Sequence, residues 1–125
     1  MIRGIVTAEH EAVIRLVVHG PKGRLRRIEA VVDTGFNGHL SLPAALIKKL
    51  GLPWRRRAIA ELADGSQTIV DIYRGVVVWN GRRRRIPIDE AETAPLVGMA
   101  LLAGSELNIE VWPAGGVTVL RRTRR

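Results

Sequence analysis

Cysteine is absent from these 125 residues, which excludes disulfide staples and thiolate-held zinc. Aromatic residues are scarce, at 4% of the chain. Only Trp54 and Trp79 stand beside basic runs, too few to form a platform on which nucleic-acid bases stack. Long apolar runs are missing too. None approaches the ~20 residues of a membrane-spanning helix, and the opening Met1-Ile2-Arg3-Gly4 carries no secretory pattern. The expectation is no membrane partner and a cytoplasmic location, which the lack of cysteine permits. The three histidines, His10, His19 and His39, are too scattered for a metal cluster. Ser41 and Ser66 have no neighbouring pattern that would activate a serine nucleophile.

Acidic residues are the minority charge. Twelve Asp and Glu face 20 Lys and Arg, for a net charge of +8. The basic residues gather in four clusters: Arg24-Arg26-Arg27, Arg55-Arg56-Arg57, Arg82 to Arg85, and a tail at 121–125. Such clusters suit a surface for nucleic acid or another acidic partner. Solvated strand ends and turns are the plainer reading, and nucleic acid is the less favoured partner.

At this length the chain is one domain, large enough to bury roughly two-thirds of its unfolded surface. Its patterning predicts an all-β fold with one or two short helices. Residues 2–8 and 12–19 alternate Val, Ile and Leu with other residues, as strands do, and 24–32 resumes after the turn Gly20-Pro21-Lys22-Gly23. Pro43 to Leu50 is the best helix, opened by proline and stopped by Gly51, with Ala44, Ala45, Leu46, Ile47 and Leu50 inward. Strands 55–62 and 67–79 flank Asp64-Gly65, which suits a type I′ turn, and Asn80-Gly81 leads into strand 82–88. After a polar segment from Asp89 to Thr93, Pro95-Leu96-Val97-Gly98 leads into a short helix at 99–103. Strands at about 107–112 and 117–122 finish the chain.

Asp33-Thr34-Gly35 follows the run Ile28 to Val32 and opens a turn-rich loop, Phe36-Asn37-Gly38. A carboxylate at the mouth of a buried strand is costly unless it is paired or does chemistry. The plain alternative is a turn aspartate capping backbone amides. His39 lies near the triplet and reads as a strand-edge histidine. Phe36 is bulky and needs its own pocket. The unit from Val31 to Gly35 also has an echo in Leu96-Val97-Gly98, since each leads into a helix.

Three pieces in order make the chain resemble the retropepsin-like aspartic proteases in their small, single-domain form. Asp33-Thr34-Gly35 matches the catalytic triplet. Leu62-Ala63-Asp64-Gly65-Ser66 stands where that family has its flap hairpin. Pro95-Leu96-Val97-Gly98-Met99-Ala100-Leu101-Leu102 looks like the element that braces the catalytic loop. Together they organise roughly residues 5–112. The resemblance implies a closed acid-protease barrel acting as a homodimer on extended polypeptides. Asp33 of each copy would meet at the twofold axis, and Thr34 would bond across it. Gly35 would let the backbone lie close to that axis. Two carboxylates roughly 3 Å apart share one proton, so a water can be activated between them with no metal or organic cofactor. The flap, Asp64 to Gln67, would fold over substrate, with Val31, Leu62, Ile69, Val97 and Leu101 as cleft lining. A module that keeps the fold but only binds peptide or nucleic acid is the alternative.

Overall fold

The computed structural model describes residues 1–62 and 64–122. Ala63 of the expected flap and residues 123–125 of the basic tail lie outside the described residues. In chain order the elements are β1 (Ile2–Val6), β2 (Ala12–His19), β3 (Leu25–Val32), β4 (Leu40–Leu42), α1 (Ala44–Leu50), β5 (Trp54–Glu61), β6 (Gln67–Trp79), β7 (Arg82–Glu90), β8 (Leu96–Val97), α2 (Met99–Leu102), β9 (Ser105–Ile109) and β10 (Gly116–Arg121). Strand dominates, as the alternation predicts. No helix among the described residues is long and apolar enough to cross a membrane.

Six strands close into a barrel in the order β2-β3-β8-β4-β7-β6. The seam is the short pairing of β6 with β2, Val77 opposite Val18 and Val76 opposite His19. β1, β10 and β9 extend the sheet outward from β2, and β5 flanks β6. Period-two patterning decides which side chains go inside. On β2, Ala12, Ile14, Leu16 and Val18 are buried while Arg15 is exposed. Ile28 and Ala30, Ile86 and Ile88, and Val77 and Trp79 repeat the pattern on the facing strands. These side chains form one continuous apolar cluster with Leu40, Val97 and Leu101.

The turns follow local chemistry. Asn80 (φ 49°) and Gly81 (φ 78°) lie between the paired residues Trp79 and Arg82, the two-residue turn that Asn-Gly predicts. Asp64-Gly65 departs from expectation. The Leu62 N–H donates to the Ser66 carbonyl at 2.7 Å, so three residues separate the paired positions rather than two. Gly65 takes the left-handed conformation at φ 84°. The Asp64 carboxylate accepts the Ser66 amide at 2.9 Å and its hydroxyl at 2.5 Å, which fixes the longer loop. α1 ends on Gly51 in the left-handed region, as expected. Only Ile47 and Leu50 are buried on it, whereas Ala45 faces solvent, because a seven-residue helix turns just one narrow stripe to the barrel. The penultimate strand stops at Ile109, short of 112. The chain turns at Glu110, whose carbonyl accepts the Trp112 N–H, and Trp112 is exposed.

Candidate functional site

β8 is threaded between the strand that precedes the Asp33 loop and the strand that follows it. It runs parallel to β3, with Val31 opposite Leu96 and Val32 opposite Val97, and antiparallel to β4, with Leu40 opposite Val97. The loop therefore leaves one side of β8 and returns on the other. Four backbone bonds stitch it down. The Asp33 N–H donates to the Val97 carbonyl (2.9 Å), and the Gly98 N–H donates to the His39 carbonyl (2.9 Å). Met99 and Ala100 donate to the carbonyls of Phe36 (2.8 Å) and Gly38 (3.1 Å). The first amides of a helix have no partner within it, and here the loop supplies those partners to α2.

Two glycines make this clasp sterically feasible. A Cβ on Gly98 would lie 2.2 Å from the Gly38 carbonyl oxygen and 2.8 Å from that of Phe36. Gly98 has an ordinary φ of −102°, so the requirement is space rather than backbone conformation. A Cβ on Gly38 would lie 2.5 Å from the tip of the Phe36 ring. The half-buried Phe36 ring thus occupies the room that Gly38 and Gly98 leave, which is the pocket its bulk requires.

Asp33 emerges from this clasp half-buried, with Thr34 and Gly35 exposed beyond it. Its Oδ1 accepts the Gly35 N–H at 2.9 Å, and its carbonyl accepts the Phe36 N–H at 3.1 Å. Among the described residues no cation pairs with Asp33, and Thr34 makes no side-chain hydrogen bond. One carboxylate oxygen is held by the turn, and the other has no hydrogen-bond or ion-pair partner among the described residues. Gly35 is unlike Gly98: a Cβ there would meet only Asp33 Oδ1, at 3.2 Å. Among the described residues nothing else within 4 Å requires a glycine at that place.

The remaining expected site residues divide between arm and core. β6 pairs with β7 only from Ile72 onward, so Gln67 to Asp71 and their β5 partners form a two-stranded arm standing off the barrel. Leu62, Asp64, Gly65 and Ser66 are at its exposed tip, and Ile69 is 70% exposed along it. Val31 is half-buried, two residues before Asp33. Val97 and Leu101 are corrections to the expected lining. Both are fully buried in the core, so they support the loop from beneath and cannot line a cleft. Leu96 is half-buried beside them.

Sequence reading missed three features. Ile59 is directly opposite Ile69 and equally exposed at 70%, an apolar pair that the strand register creates. Asp89 belongs to β7 rather than to a polar connection, and burial pushes its carboxyl up, against the pull of His39 and Arg56. His39, just before β4, is pushed below its ordinary value by burial and then by Arg84, while Asp89 pulls it upward. A depressed histidine contributes stability that is complete above the unfolded value, ~6.5. That contribution is lost as pH falls through the lowered folded value. Urea unfolding should therefore show stability declining as pH drops below 6.5. In His39→Gln that part of the decline should vanish; an unchanged slope would refute the assignment. The clasp itself should survive, because it uses the His39 backbone carbonyl.

The chain matches no protein-family model and no curated protein.

Proposed function

We propose that this chain is an aspartic endopeptidase of the retropepsin-like type, working as a homodimer in which each copy contributes Asp33. The observation that carries the reading is the clasped Asp33 loop. A carboxylate is held at one oxygen, open at the other, and followed by a glycine that its own chain does not need. A second copy approaching along a twofold axis accounts for both the open oxygen and the missing Cβ.

The chemistry follows from charge. Two Asp33 carboxylates brought together cannot both ionise, so they share a proton. The ionised member takes a proton from a water lying between them. The resulting hydroxide equivalent attacks the peptide carbonyl, which the protonated member polarises. That member's proton then helps the amine leave. No metal or cofactor enters this scheme. The arm of β5 and β6 serves as the flap. A two-stranded ribbon is marginal alone in water, and Ile59, Leu62 and Ile69 leave apolar surface on it. An extended substrate beneath the arm would pair with backbone and cover these side chains, which favours apolar residues beside the scissile bond.

Incubation with a diverse peptide library tests the reading. Cleavage should have a bell-shaped, acid-leaning pH profile and yield to a statine-type inhibitor. Loss of activity in a chelator would refute the metal-free scheme. Gly35→Ala tests the dimer. Since its Cβ meets only Asp33 Oδ1 at 3.2 Å, monomer stability should fall by less than about 1 kcal/mol. Sedimentation should nevertheless show weakened self-association, with cleavage lost in parallel. A Gly35→Ala protein as active and as associated as the parent would remove the reason given for that glycine.

A further inference from the structure

We propose that the end of the barrel remote from Asp33 carries a binding surface for nucleic acid, held through its phosphates. Register places the surface. Leu25, His19, Val76 and Arg85 are side by side across β3, β2, β6 and β7. Leu25 opens β3 and Asp33 follows its last residue, so at ~3.3 Å per residue the two ends are roughly 23 Å apart. The surface is therefore separate from the candidate catalytic loop and does not depend on the peptidase reading.

Three grooves join here. One of ≈ 570 Å³ has Val76 and Leu25 among its lining, with Arg83, Arg85 and the Gly20 to Gly23 turn around them. Arg85 is shared with a groove of ≈ 210 Å³ that contains Arg55 and Arg74. Arg83 is shared with one of ≈ 510 Å³ that contains Arg82 and Arg121. None of the three is lined by Asp or Glu. The ion pairs among the described residues use Arg15, Arg57 and Arg122. Arg74, Arg83 and Arg85 are exposed and take part in none of them. Apart from Arg122, which lines the third groove and pairs with Glu106, the arginines on these walls have no ion-pair partner among the described residues.

The chemistry of the band selects its partner. Guanidinium groups present planar forks that match phosphate oxygens. At Val76 and Val77, in the middle of the band, β6 has both edges paired, with β2 and with β7, so an acidic peptide finds no free backbone to pair with there. Leu25 is the one exposed large apolar side chain lining these grooves, too little for insertion into a lipid surface. Of the aromatic side chains lining these grooves, Tyr73 is half-buried and Trp79 is buried; the exposed Trp54, beside Arg55, is a single ring and no stacking platform. Contact is through the sugar–phosphate backbone, and sequence preference should be slight.

Fluorescence anisotropy with the full chain tests this, using a labelled mixed-sequence DNA duplex and an RNA strand of equal length. With about four phosphates neutralised, raising salt from about 50 to about 200 mM should weaken duplex binding about 100-fold. Arg83→Gln/Arg85→Gln should reduce the salt slope by about two and weaken binding at least about tenfold at low salt. Lys48→Gln/Lys49→Gln removes equal charge from exposed positions on α1 and should retain most of the affinity. Asp33→Asn should bind as the parent does. Tighter binding of duplex or of strand identifies the natural form, and either supports the surface. The proposal fails if neither nucleic acid binds, if the lysine variant loses as much as the arginine variant, or if anionic vesicles bind and nucleic acid does not. Circular dichroism of each variant guards against unfolding as the cause of a loss.

Discussion

Replacing Asp33 with asparagine should lower peptide hydrolysis by about a thousandfold or more, the scale of a lost acid–base group, and leave the fold intact. The two effects separate because of how the side chain is held. Asp33 Oδ1 accepts the Gly35 amide at 2.9 Å, and the oxygen of an asparagine amide can accept the same bond. Asp33 is half-exposed and pairs with no cation among the described residues, so removing its charge breaks no ion pair within the chain. The melting temperature should move by no more than a few degrees. On the proposed mechanism, what should disappear is the capacity to share a proton with a second carboxylate and activate water. Cleavage that persists at the parental rate in Asp33→Asn would place the chemistry elsewhere. A binding module built on this fold would show its partner affinity unchanged by the substitution.

Gly98→Ala should be strongly destabilising. The added carbon lands 2.2 Å from the Gly38 carbonyl oxygen and 2.8 Å from that of Phe36. Neither oxygen can retreat freely, because each accepts an amide from the start of α2. The Phe36 ring also blocks the way, with Cδ2 2.6 Å from the new atom. Relief requires the loop to lift from β8, which breaks those bonds and moves Asp33. A cost of about 3 kcal/mol is expected, a fall of roughly 12 °C in Tm for a domain of this size. Differential scanning calorimetry would measure it, and activity should be lost even below the melting transition. The contrast with Gly35→Ala is informative. The same methyl group is added at two glycines of one site, and only Gly98 is constrained by backbone within the chain. Equal destabilisation by the two substitutions would contradict the roles assigned to them.

The strands were legible because most of them bury one face, and a period of two survives in the sequence. β2 and β6 have the boundaries that their patterning predicts. Asn80-Gly81 was legible because that dipeptide favours positive φ at both positions. The Asp64-Gly65 loop was not, since hairpin length depends on which residues the facing strands pair, and that register is non-local. The same limit hid Ile59, whose importance comes from lying opposite Ile69. Val97 and Leu101 suit the lining of a cleft by their apolar character alone. Their burial is set instead by the threading of β8 between β3 and β4 and by the packing of α2. The short helix expected at 99–103 is α2, whereas strand β8 has two residues, too short for periodicity to reveal. Their place beside the Asp33 loop was inferable only from the resemblance. The environment of Asp89 and His39 likewise arises from β7 lying parallel to β4, a pairing of segments nearly fifty residues apart in sequence.

Co-refolding equal amounts of the parent protein and Asp33→Asn, followed by an assay of peptide cleavage, tests the pairing of two Asp33 carboxylates most directly. If every working site draws one aspartate from each copy, random pairing leaves about one quarter of the activity of the same total amount of parent protein. Retention of about one half, the value for sites complete within one chain, would contradict the account.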